Sequence, residues 1–259
     1  KPEEIIYGIK VIMKILNVSK SYIAIEDNKP KAINIMKDTI KKEKGIQVIV
    51  LPTKYPQGSE KQLIYAVTGR QVPVGGLPAD VGVEVNNVGT AAAIARAVQL
   101  GEPLYQRVIT VSGGAVKEPK NVLVRIGTSF REVIDFCGGW KEKPVKVVNG
   151  GPMMGIAVHT LDMPVTKQTS AILLFTKREA EQTNPSNCIR CARCHYACPI
   201  RLLPMNISAQ SMKGNYEEAE KLHVMECIEC GSCSYVCPAS RPLLQSIQVA
   251  KKEIIALRK

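Results

Sequence analysis

The stretch CIRCARCHYACP at residues 188–199 is followed, at residues 227–238, by CIECGSCSYVCP. Both have the spacing C-x2-C-x2-C-x3-C-P, which is typical of bacterial proteins that hold two [4Fe–4S] clusters. In that arrangement the three closely spaced cysteines of a motif bind one cluster, and the fourth cysteine binds the other. The spacing therefore predicts two clusters with crossed ligands. The predicted ligands are Cys188, Cys191, Cys194 and Cys237 for the first cluster, and Cys227, Cys230, Cys233 and Cys198 for the second.

Structural zinc is the main alternative for eight cysteines. A zinc site uses two pairs of ligands at C-x2-C spacing with a gap between them, so a third cysteine at the same interval would be surplus. Disulfides fit less well, because C-x2-C neighbours rarely bridge outside redox motifs and nothing marks the chain as secreted. The cysteine pattern therefore favours clusters over zinc, and zinc over disulfides.

Length and composition indicate a globular protein of more than one domain. At 259 residues, with an apolar share of 45%, the chain has room for two or three domains. It has no uninterrupted apolar run near the roughly 18 residues of a membrane span, and its first residues lack the pattern of a secretion signal. Nine cysteines then favour a reducing cytoplasm and bound metal. Because the first residue is not methionine, we expect the chain to be part of a longer protein.

The formal net charge of +12 raises the question of a nucleic-acid partner. Two clusters with eight thiolates would lower that charge to about +8. The basic residues are spread along the chain, aromatic residues are few, and no nucleic-acid-binding motif is present. We therefore expect no nucleic acid, but rather an anionic membrane surface, an acidic protein or a dinucleotide phosphate. A solvated, lysine-rich surface is the alternative.

Helices and strands are predicted to alternate in the first part of the chain. In order, the predicted elements are helix 3–16, strand 22–25, a helix beginning at Pro30, strand Ile46–Leu51, helix 60–68, strand 81–85 and helix 91–100. The strand Ile46–Leu51 is predicted to be buried in a parallel sheet, and Thr90 to cap the last helix. Such alternation predicts an α/β domain, which we place at residues 1–105. Because it begins with a helix, we expect it to be partial.

The pattern changes after residue 105. The predicted elements are strands 108–112 and 122–126, helix 129–136, strand 145–148, a tight loop at 150–155 and strand 172–175. Two strands, a helix and a strand within about 60 residues indicate an α+β module of β-grasp type, at residues 106–165. Residues 166–259 are predicted to be helical around the cysteine motifs, with spacer helices at 202–212 and 216–225, as in a two-cluster ferredoxin-like domain.

Short motifs spread along the whole chain resemble the C subunit of the Rnf complex, a membrane-bound ferredoxin:NAD oxidoreductase. The matching pieces are Pro56-Gln57-Gly58-Ser59-Glu60-Lys61, Gly75-Gly76-Leu77-Pro78, Val85-Asn86-Asn87-Val88-Gly89-Thr90, the loop 150–155 and the paired cysteine motifs. That family is in turn similar to the flavoprotein subunit of respiratory complex I, which binds FMN and NADH. The resemblance implies an FMN- and NAD-type α/β domain, an SLBB-like β-grasp module and a domain with two [4Fe–4S] clusters.

The resemblance also implies where cofactors bind. Asn86, Asn87 and Thr90 fall where the complex I relative lines its FMN pocket, and Gly58 and Glu60 fall on the loop that approaches flavin and nicotinamide. Taken alone, two asparagines before a helix are more typical of a cap and turn. The relative has the sequence C-G-E-E where this chain has residues 57–60, so Ser59 replaces its first glutamate, and the family's glycine-rich flavin loop lies upstream of the matched region. We therefore expect half of a flavin site.

The function implied by the resemblance is electron relay between NAD(H) and two [4Fe–4S] clusters through FMN. The expected location is peripheral, at the cytoplasmic face of the cell membrane. The expected partners are the other subunits of an Rnf-type complex, NAD(H) and, indirectly, ferredoxin. Two alternatives remain open. One is a soluble flavin and iron–sulfur reductase, such as a cobalamin reductase or a component feeding proline reductase, and the other is a non-catalytic iron–sulfur electron-transfer adaptor.

Overall fold

The computed structural model describes residues 1–180 and 184–258. Contacts divide the chain into two compact units, Lys1–Leu104 and Tyr105–Lys259, which we call unit 1 and unit 2. Residues 181–183 and 259 of the predicted helical domain lie outside the described residues. In the part of the chain that is described, no helix has both the length and the apolar content needed to cross a bilayer.

Unit 1 combines helices with two parallel strands. Its elements are α1 Pro2–Ile15, β1 Ser21–Glu26, α2 Pro30–Thr39, a 3₁₀ turn Ile40–Lys42, β2 Ile46–Leu51, α3 Glu60–Thr68, a 3₁₀ turn Pro78–Val81 and α4 Val88–Leu100. β1 and β2 pair in parallel register, with Ser21 opposite Ile46. Apolar residues of α1, α2 and both strands form the core, centred on Ile6, Ile23, Met36 and Ile46. The α/β prediction for this region is confirmed. β2 is not buried throughout, however, because its residue Val50 is 42% exposed.

α1 and α4 touch through their backbones at Gly8. A Cβ atom built on Gly8 would lie 1.8 Å from the carbonyl oxygen of Ala91, which leaves no room for any side chain. Ala91 and Ala95 of α4 are buried, at 4% and 0% exposure. Small residues on both helices therefore allow the close approach, and this contact fixes the first turn of α4 beside α1.

Two sequence predictions for unit 1 are wrong. Residues 81–85 form no strand: a 3₁₀ turn occupies Pro78–Val81, and Gly82 then takes a left-handed conformation. The alternating valines have no strand to pair with, because in the described part of unit 1 the sheet consists of β1 and β2 alone. Thr90 does not cap α4. The helix begins at Val88, and the N-cap is Asn87, whose Oδ1 accepts a hydrogen bond from the Gly89 N–H at 2.9 Å.

Unit 2 begins with a five-stranded mixed sheet. Its strands are β3 Gln106–Ser112, β4 Lys120–Arg125, β5 Lys146–Asn149, β6 Ile156–Val158 and β7 Ala171–Phe175, in the spatial order β4-β3-β7-β5-β6. α5 Phe130–Phe136 packs on the sheet, and Phe130, Ile109 and Ile172 are fully buried between them. The predicted hairpin and helix are present, and the β-grasp prediction is confirmed. β6 is an addition that the sequence analysis did not predict.

The last strand in the chain lies at the centre of this sheet. β7 pairs in parallel with β3, where Thr110 faces Ala171, and antiparallel with β5, where Lys146 faces Phe175. Residues 171–175 therefore belong to the sheet, although the predicted boundary of this module was residue 165.

α5 begins with a reciprocal capping box. The Ser129 hydroxyl accepts a hydrogen bond from the Glu132 N–H at 3.2 Å, and the Glu132 carboxylate accepts one from the Ser129 N–H at 2.9 Å. The Ser129 hydroxyl also donates to the Glu132 carboxylate at 2.7 Å, and this bond and the one from the Ser129 N–H hold the pKa of Glu132 below its usual value. The capping box satisfies two N–H groups that the first helical turn leaves without partners.

Replacing Ser129 with alanine should destabilise unit 2 by about 1 kcal/mol, the usual cost of losing an N-cap side chain. Because the pKa of Glu132 is lowered in the folded state, its contribution is present above the unfolded pKa and disappears as the pH falls through the folded pKa. Urea unfolding at pH 7 and at pH 3 measures both effects. A Ser129→Ala penalty that is unchanged at pH 3 would show that the carboxylate takes no part in the cap.

The remainder of unit 2 is helical, as the sequence predicted. Its elements are α6 Lys177–Ala180, α7 Arg193–Tyr196, α8 Pro204–Met212, α9 Tyr216–Lys221, a 3₁₀ turn Val224–Glu226, α10 Ser232–Tyr235 and α11 Leu243–Leu257. α8 and α11 pack around Ile207, Ile247 and Ala250, and the Ser246 hydroxyl donates to the Ser208 hydroxyl at 2.8 Å. The predicted helix 216–225 is interrupted after Lys221, because His223 takes a left-handed conformation with φ of 62°.

Candidate functional site

The two cysteine motifs form a structural repeat. Every cysteine of the first motif has its counterpart 39 residues later, from Cys188 and Cys227 onward. The helices repeat at the same interval: α7 and α10 are four residues each, and α8 and α11 begin at 204 and 243. The left-handed backbone positions repeat as well, at residues 190, 192 and 201 in the first copy and at 229, 231 and 240 in the second. Each copy therefore wraps its cysteines with the same chain path.

One cavity brings together the four cysteines predicted for the first cluster. Cys188, Cys191 and Cys194 line it together with Cys237 from the second motif. The rest of its wall includes Ile189, Met205, Ala239 and Leu243 and two arginines, Arg193 and Arg241. Four thiols around a largely apolar space are the donor set that a [4Fe–4S] cluster requires. The side chains present thus fit the group that the spacing predicts.

The four cysteines predicted for the second cluster also lie together. The thiols of Cys227, Cys230 and Cys198 are all close enough to Cys233 to influence its ionisation. The N–H of Leu202 donates to the Cys198 sulfur at 3.3 Å, and the N–H of Glu229 donates to the Cys227 sulfur at 3.4 Å. Such N–H···S bonds are a means by which proteins adjust cluster potentials. The fourth cysteine of each motif is thus found beside the triplet of the other.

Burial makes these thiols reluctant to ionise on their own. Burial is the main cause that raises the pKa of Cys194, and it also raises the pKa of Cys227. For Cys233, burial and the neighbouring thiol of Cys227 raise the pKa to about 12. Because metal ligands must be thiolates, metal binding here has to displace protons. Within residues 1–180 and 184–258, no three Cys, His, Asp or Glu side chains are arranged to hold a single metal ion.

The structure adds side chains around the second motif that the sequence analysis did not identify. Lys251 of α11 donates from Nζ to the Cys227 carbonyl oxygen at 2.8 Å and to Glu229 Oε1 at 2.5 Å. Gln248 donates to the other carboxylate oxygen of Glu229 at 3.0 Å. Burial opposes ionisation of Glu229, but the bonds from Lys251 and Gln248 outweigh it and lower the pKa of that carboxyl. The sequence offers one signal for these two residues: Gln248 and Lys251 are three positions apart in α11, so they lie on the same face of the helix.

His195 and Cys137 have ordinary structural surroundings. His195 Nδ1 lies 2.8 Å from the carbonyl oxygen of Leu202, so this nitrogen carries the proton and the bond ties α7 to the segment before α8. Cys137 is fully buried in the β-grasp core, as expected for a small apolar side chain.

The residues proposed for flavin and nicotinamide lie on the surface of unit 1. Gly58, Glu60, Asn86, Asn87 and Thr90 are all exposed. Of these five, Gly58 lines a cavity of about 570 Å³, together with Gln57 and Val88. Glu26 and Leu51, the last residues of β1 and β2, also line it. Space beyond the carboxyl ends of parallel strands is where α/β folds bind ligands, and the volume falls within the usual range for small-molecule sites.

Comparisons with family models divide the chain in the order the sequence suggested. Residues 1–96 match the Nuo51 FMN-binding domain, residues 108–157 the SLBB domain, and residues 180–238 a 4Fe-4S dicluster domain. Two structures of an NAD+-reducing [NiFe]-hydrogenase, in the H2-reduced and air-oxidised states, align with the chain over its whole length. The alignments cover 51% of the hydrogenase chains, with TM-scores of 0.59 and 0.57. At 15% and 16% identity, this likeness concerns the fold alone. Fold and motifs together define an iron–sulfur protein with an FMN-type α/β domain.

Curated relatives identify the family. The C subunit of the proton-translocating ferredoxin:NAD(+) oxidoreductase complex of Clostridium ljungdahlii is 57% identical over 83% of this chain and 47% of its own length. The C subunit of the Na(+)-translocating ferredoxin:NAD(+) oxidoreductase complex of Acetobacterium woodii is 51% identical over 99% of this chain and 58% of its own length. The C subunit of the ion-translocating oxidoreductase complex of Rhodobacter capsulatus is 44% identical over 98% of this chain and 49% of its own length. The chain belongs to this family, the C subunits of Rnf-type complexes, and spans about half the length of these relatives.

Proposed function

We propose that the chain is the NAD(H)-side electron-transfer subunit of a membrane-bound, ion-translocating ferredoxin:NAD oxidoreductase, relaying electrons between NAD(H), FMN and two [4Fe–4S] clusters. The observation that carries the proposal is the crossed assembly of the two cysteine sets, since Cys237 lines a cavity with the first motif and Cys198 lies beside the second. Paired clusters held by interlocked motifs lie close together, which suits electron transfer between them. Membership of the C-subunit family supports the rest.

The eight cysteines would hold the clusters as two sets, with Cys188, Cys191, Cys194 and Cys237 in one and Cys227, Cys230, Cys233 and Cys198 in the other. The apolar wall of the first cavity, including Met205 and Leu243, would keep water from part of the first set. Around the second set, the N–H groups of Leu202 and Glu229 point at sulfur and partly neutralise the negative charge there.

FMN, when bound, supplies the conversion between the two-electron chemistry of NADH and single-electron transfer. The chain would hold it near the 570 Å³ cavity, where Gly58 leaves room because nothing lies within 4 Å of a Cβ built on it. Glu60, Asn86, Asn87 and Thr90 are further proposed contacts for flavin or nicotinamide. Asn87 supports this assignment indirectly, because its neighbour Val88 lines the cavity.

We further propose a peripheral location at the cytoplasmic face of the membrane, with the other subunits of the complex as partners. NAD(H) is the proposed small-molecule partner, ferredoxin is an indirect one, and no nucleic acid is involved. The curated relatives are named as subunits of ion-translocating complexes, which supports a site of action beside a membrane.

An electron-transfer adaptor without flavin is the second candidate. The observation that favours it is the N-cap role of Asn87, whose side-chain oxygen is occupied by the Gly89 N–H. In this function the two clusters carry single electrons between partners, and unit 1 serves as a binding module.

Anaerobic spectroscopy with NADH distinguishes the two. The chain is reconstituted with iron, sulfide and FMN, and visible and EPR spectra are recorded before and after NADH is added. We expect a flavin absorption band that bleaches and cluster signals that appear upon reduction. Clusters that dithionite reduces and NADH leaves oxidised, in a chain that retains no flavin, would reject the NADH-linked function in favour of the adaptor.

Gly58→Ala locates the flavin within unit 1. The added methyl meets no protein atom, so thermal stability should not change. It would, however, enter the space proposed for the flavin, and we expect FMN affinity to fall roughly tenfold. Fluorescence titration of FMN measures this affinity. Unchanged FMN binding by a folded Gly58→Ala variant would move the flavin away from this cavity.

A further inference from the structure

The internal repeat allows the surroundings of the two motifs to be compared position by position. We define the first-motif face as Cys188, Ile189, Arg190, Cys191, Arg193 and Arg241. The first five of these residues are exposed, and Ile189 is 67% exposed. Ile189, Arg193 and Arg241 also line the cavity that the first cysteine set shares. The first motif thus presents two of its cysteines, Cys188 and Cys191, together with an apolar side chain and arginines at the surface.

The second motif is enclosed at the matching positions. Glu229 stands where the first copy has Arg190, and Lys251 and Gln248 hold its carboxylate. Ser232, the counterpart of Arg193, is buried, and so is Cys230, the counterpart of Cys191. Residues 188–191 and Arg193 of the first motif are therefore exposed, whereas their counterparts in the second motif, residues 227–230 and Ser232, are buried or half-buried. Both motifs nevertheless follow the same chain path.

The loop at residues 150–155 also packs against the second motif, at Gly231. A Cβ built on Gly231 would come within 3.0 Å of the Met153 carbonyl oxygen, and the left-handed φ of 79° also favours glycine there. In the first copy, the counterpart Ala192 has a side chain and is half-buried. The β-grasp module therefore touches the second motif through backbone atoms.

Charge also distinguishes the two motifs. Residues 184–216 contain three arginines and one lysine, and no Asp or Glu. The matching residues 223–255 contain as many acidic as basic side chains, namely Glu226, Glu229 and Glu253 against Arg241, Lys251 and Lys252. Cationic side chains near an exposed redox centre attract negatively charged partners and raise their association rates.

We propose that the first-motif face is the port at which this chain exchanges electrons with an acidic redox protein, while the second cluster is an interior relay. This inference rests on the proposed function, because it requires both clusters. When the partner reduces this chain, one electron passes from the partner's reduced centre to the first cluster. No bond is formed or broken, and no proton is transferred. An apolar side chain within a rim of arginines is typical of protein interfaces, which favours a protein over an anionic lipid surface.

The test uses the full chain, reconstituted with its clusters. The probe is an acidic plant-type [2Fe–2S] ferredoxin, which serves as a surrogate for the acidic redox partner, since the proposed function makes ferredoxin itself an indirect partner of this chain. Binding is measured by calorimetry with the redox-inert, gallium-substituted ferredoxin, and electron transfer by anaerobic stopped flow with the dithionite-reduced form. For Arg190→Gln/Arg193→Gln we expect affinity and second-order rate to fall roughly tenfold at low ionic strength. The dependence of the rate on salt should also become weaker.

The matched control is Arg201→Gln/Lys213→Gln, which removes two exposed charges from the same segment and leaves the defined face intact. We expect this control to behave like the unchanged chain. Equal losses in both double variants would overturn the proposal, because the effect would then come from overall charge. The proposal would also be overturned if Arg190→Gln/Arg193→Gln bound ferredoxin normally but no longer bound vesicles containing 30% phosphatidylglycerol. That result would identify an anionic lipid surface as the partner.

Iron and sulfide analysis of each protein separates this inference from the function on which it rests. A chain that takes up no clusters would contradict the proposed function, and with it the port. Two intact clusters with unchanged ferredoxin binding in Arg190→Gln/Arg193→Gln would contradict the port alone.

Discussion

Replacing Cys237 with alanine is expected to halve the iron content of the chain and to remove the cluster of the first motif, although Cys237 belongs to the second. The physical reason is the shared cavity, in which Cys237 completes the set begun by Cys188, Cys191 and Cys194. A [4Fe–4S] cluster that loses one of four thiolates is left with an unprotected iron. Iron analysis should give about four iron atoms per chain instead of about eight, with EPR after dithionite reduction showing one cluster.

Four further variants make this result decisive. Cys188→Ala should give the same remaining spectrum as Cys237→Ala, because both side chains are assigned to the first cluster. Cys198→Ala should give the complementary spectrum. Cys137→Ala removes a buried thiol outside the motifs and should keep both clusters. If Cys237→Ala and Cys227→Ala instead left the same spectrum, each motif would hold its own cluster and the crossed assignment would be wrong.

Replacing Gly8 with alanine is expected to destabilise unit 1 strongly. Alanine normally favours a helix over glycine by about 1 kcal/mol, so the substitution would stabilise an isolated α1. In the folded chain its methyl would sit 1.8 Å from the Ala91 carbonyl oxygen, and α1 and α4 would have to separate. We expect a net loss of about 1–3 kcal/mol, in line with overpacking in other protein cores. Thermal unfolding followed by circular dichroism measures it.

The control for Gly8→Ala is Gly58→Ala in the same unit, where the new methyl has no neighbour. Its unfolding temperature should match that of the unchanged chain. The cluster content of the Gly8→Ala variant should also be unchanged, since all eight predicted cluster ligands lie in unit 2. Equal stability of both variants would mean that α1 and α4 adjust to a side chain without cost, and the close contact would then have no structural role.

Local patterns in the sequence predicted most of the elements correctly. Helical spacing located α1, and Pro30 marked the start of α2, because proline suits the first turn of a helix. The cysteine spacing was sufficient to predict two interlocked sets, since it reflects how far a short chain segment reaches around a cluster. Their ligation itself remains a prediction, as do the five flavin and nicotinamide residues.

Features that depend on distant parts of the chain were not predictable in this way. The alternating valines of 81–85 have the pattern of a strand, but a strand forms only where another strand offers hydrogen bonds. Thr90 and Asn87 are both good caps by type, and the position of the first turn decides between them. The enclosure of Glu229 by Lys251 brings together residues 22 positions apart, and no local pattern records it.

The central position of β7 has a consequence for synthesis on the ribosome. β3 and β4 can form their hairpin as soon as residue 125 has emerged, and β5 and β6 can pair after residue 158. The two hairpins share no hydrogen bonds, since β7 lies between them. They remain separate until Ala171–Phe175 is available to join them, so the sheet closes late and over a long sequence separation, which slows folding. Translation that pauses before residue 175 would leave two unpaired inner edges, the kind of surface that chaperones protect and that aggregation exploits.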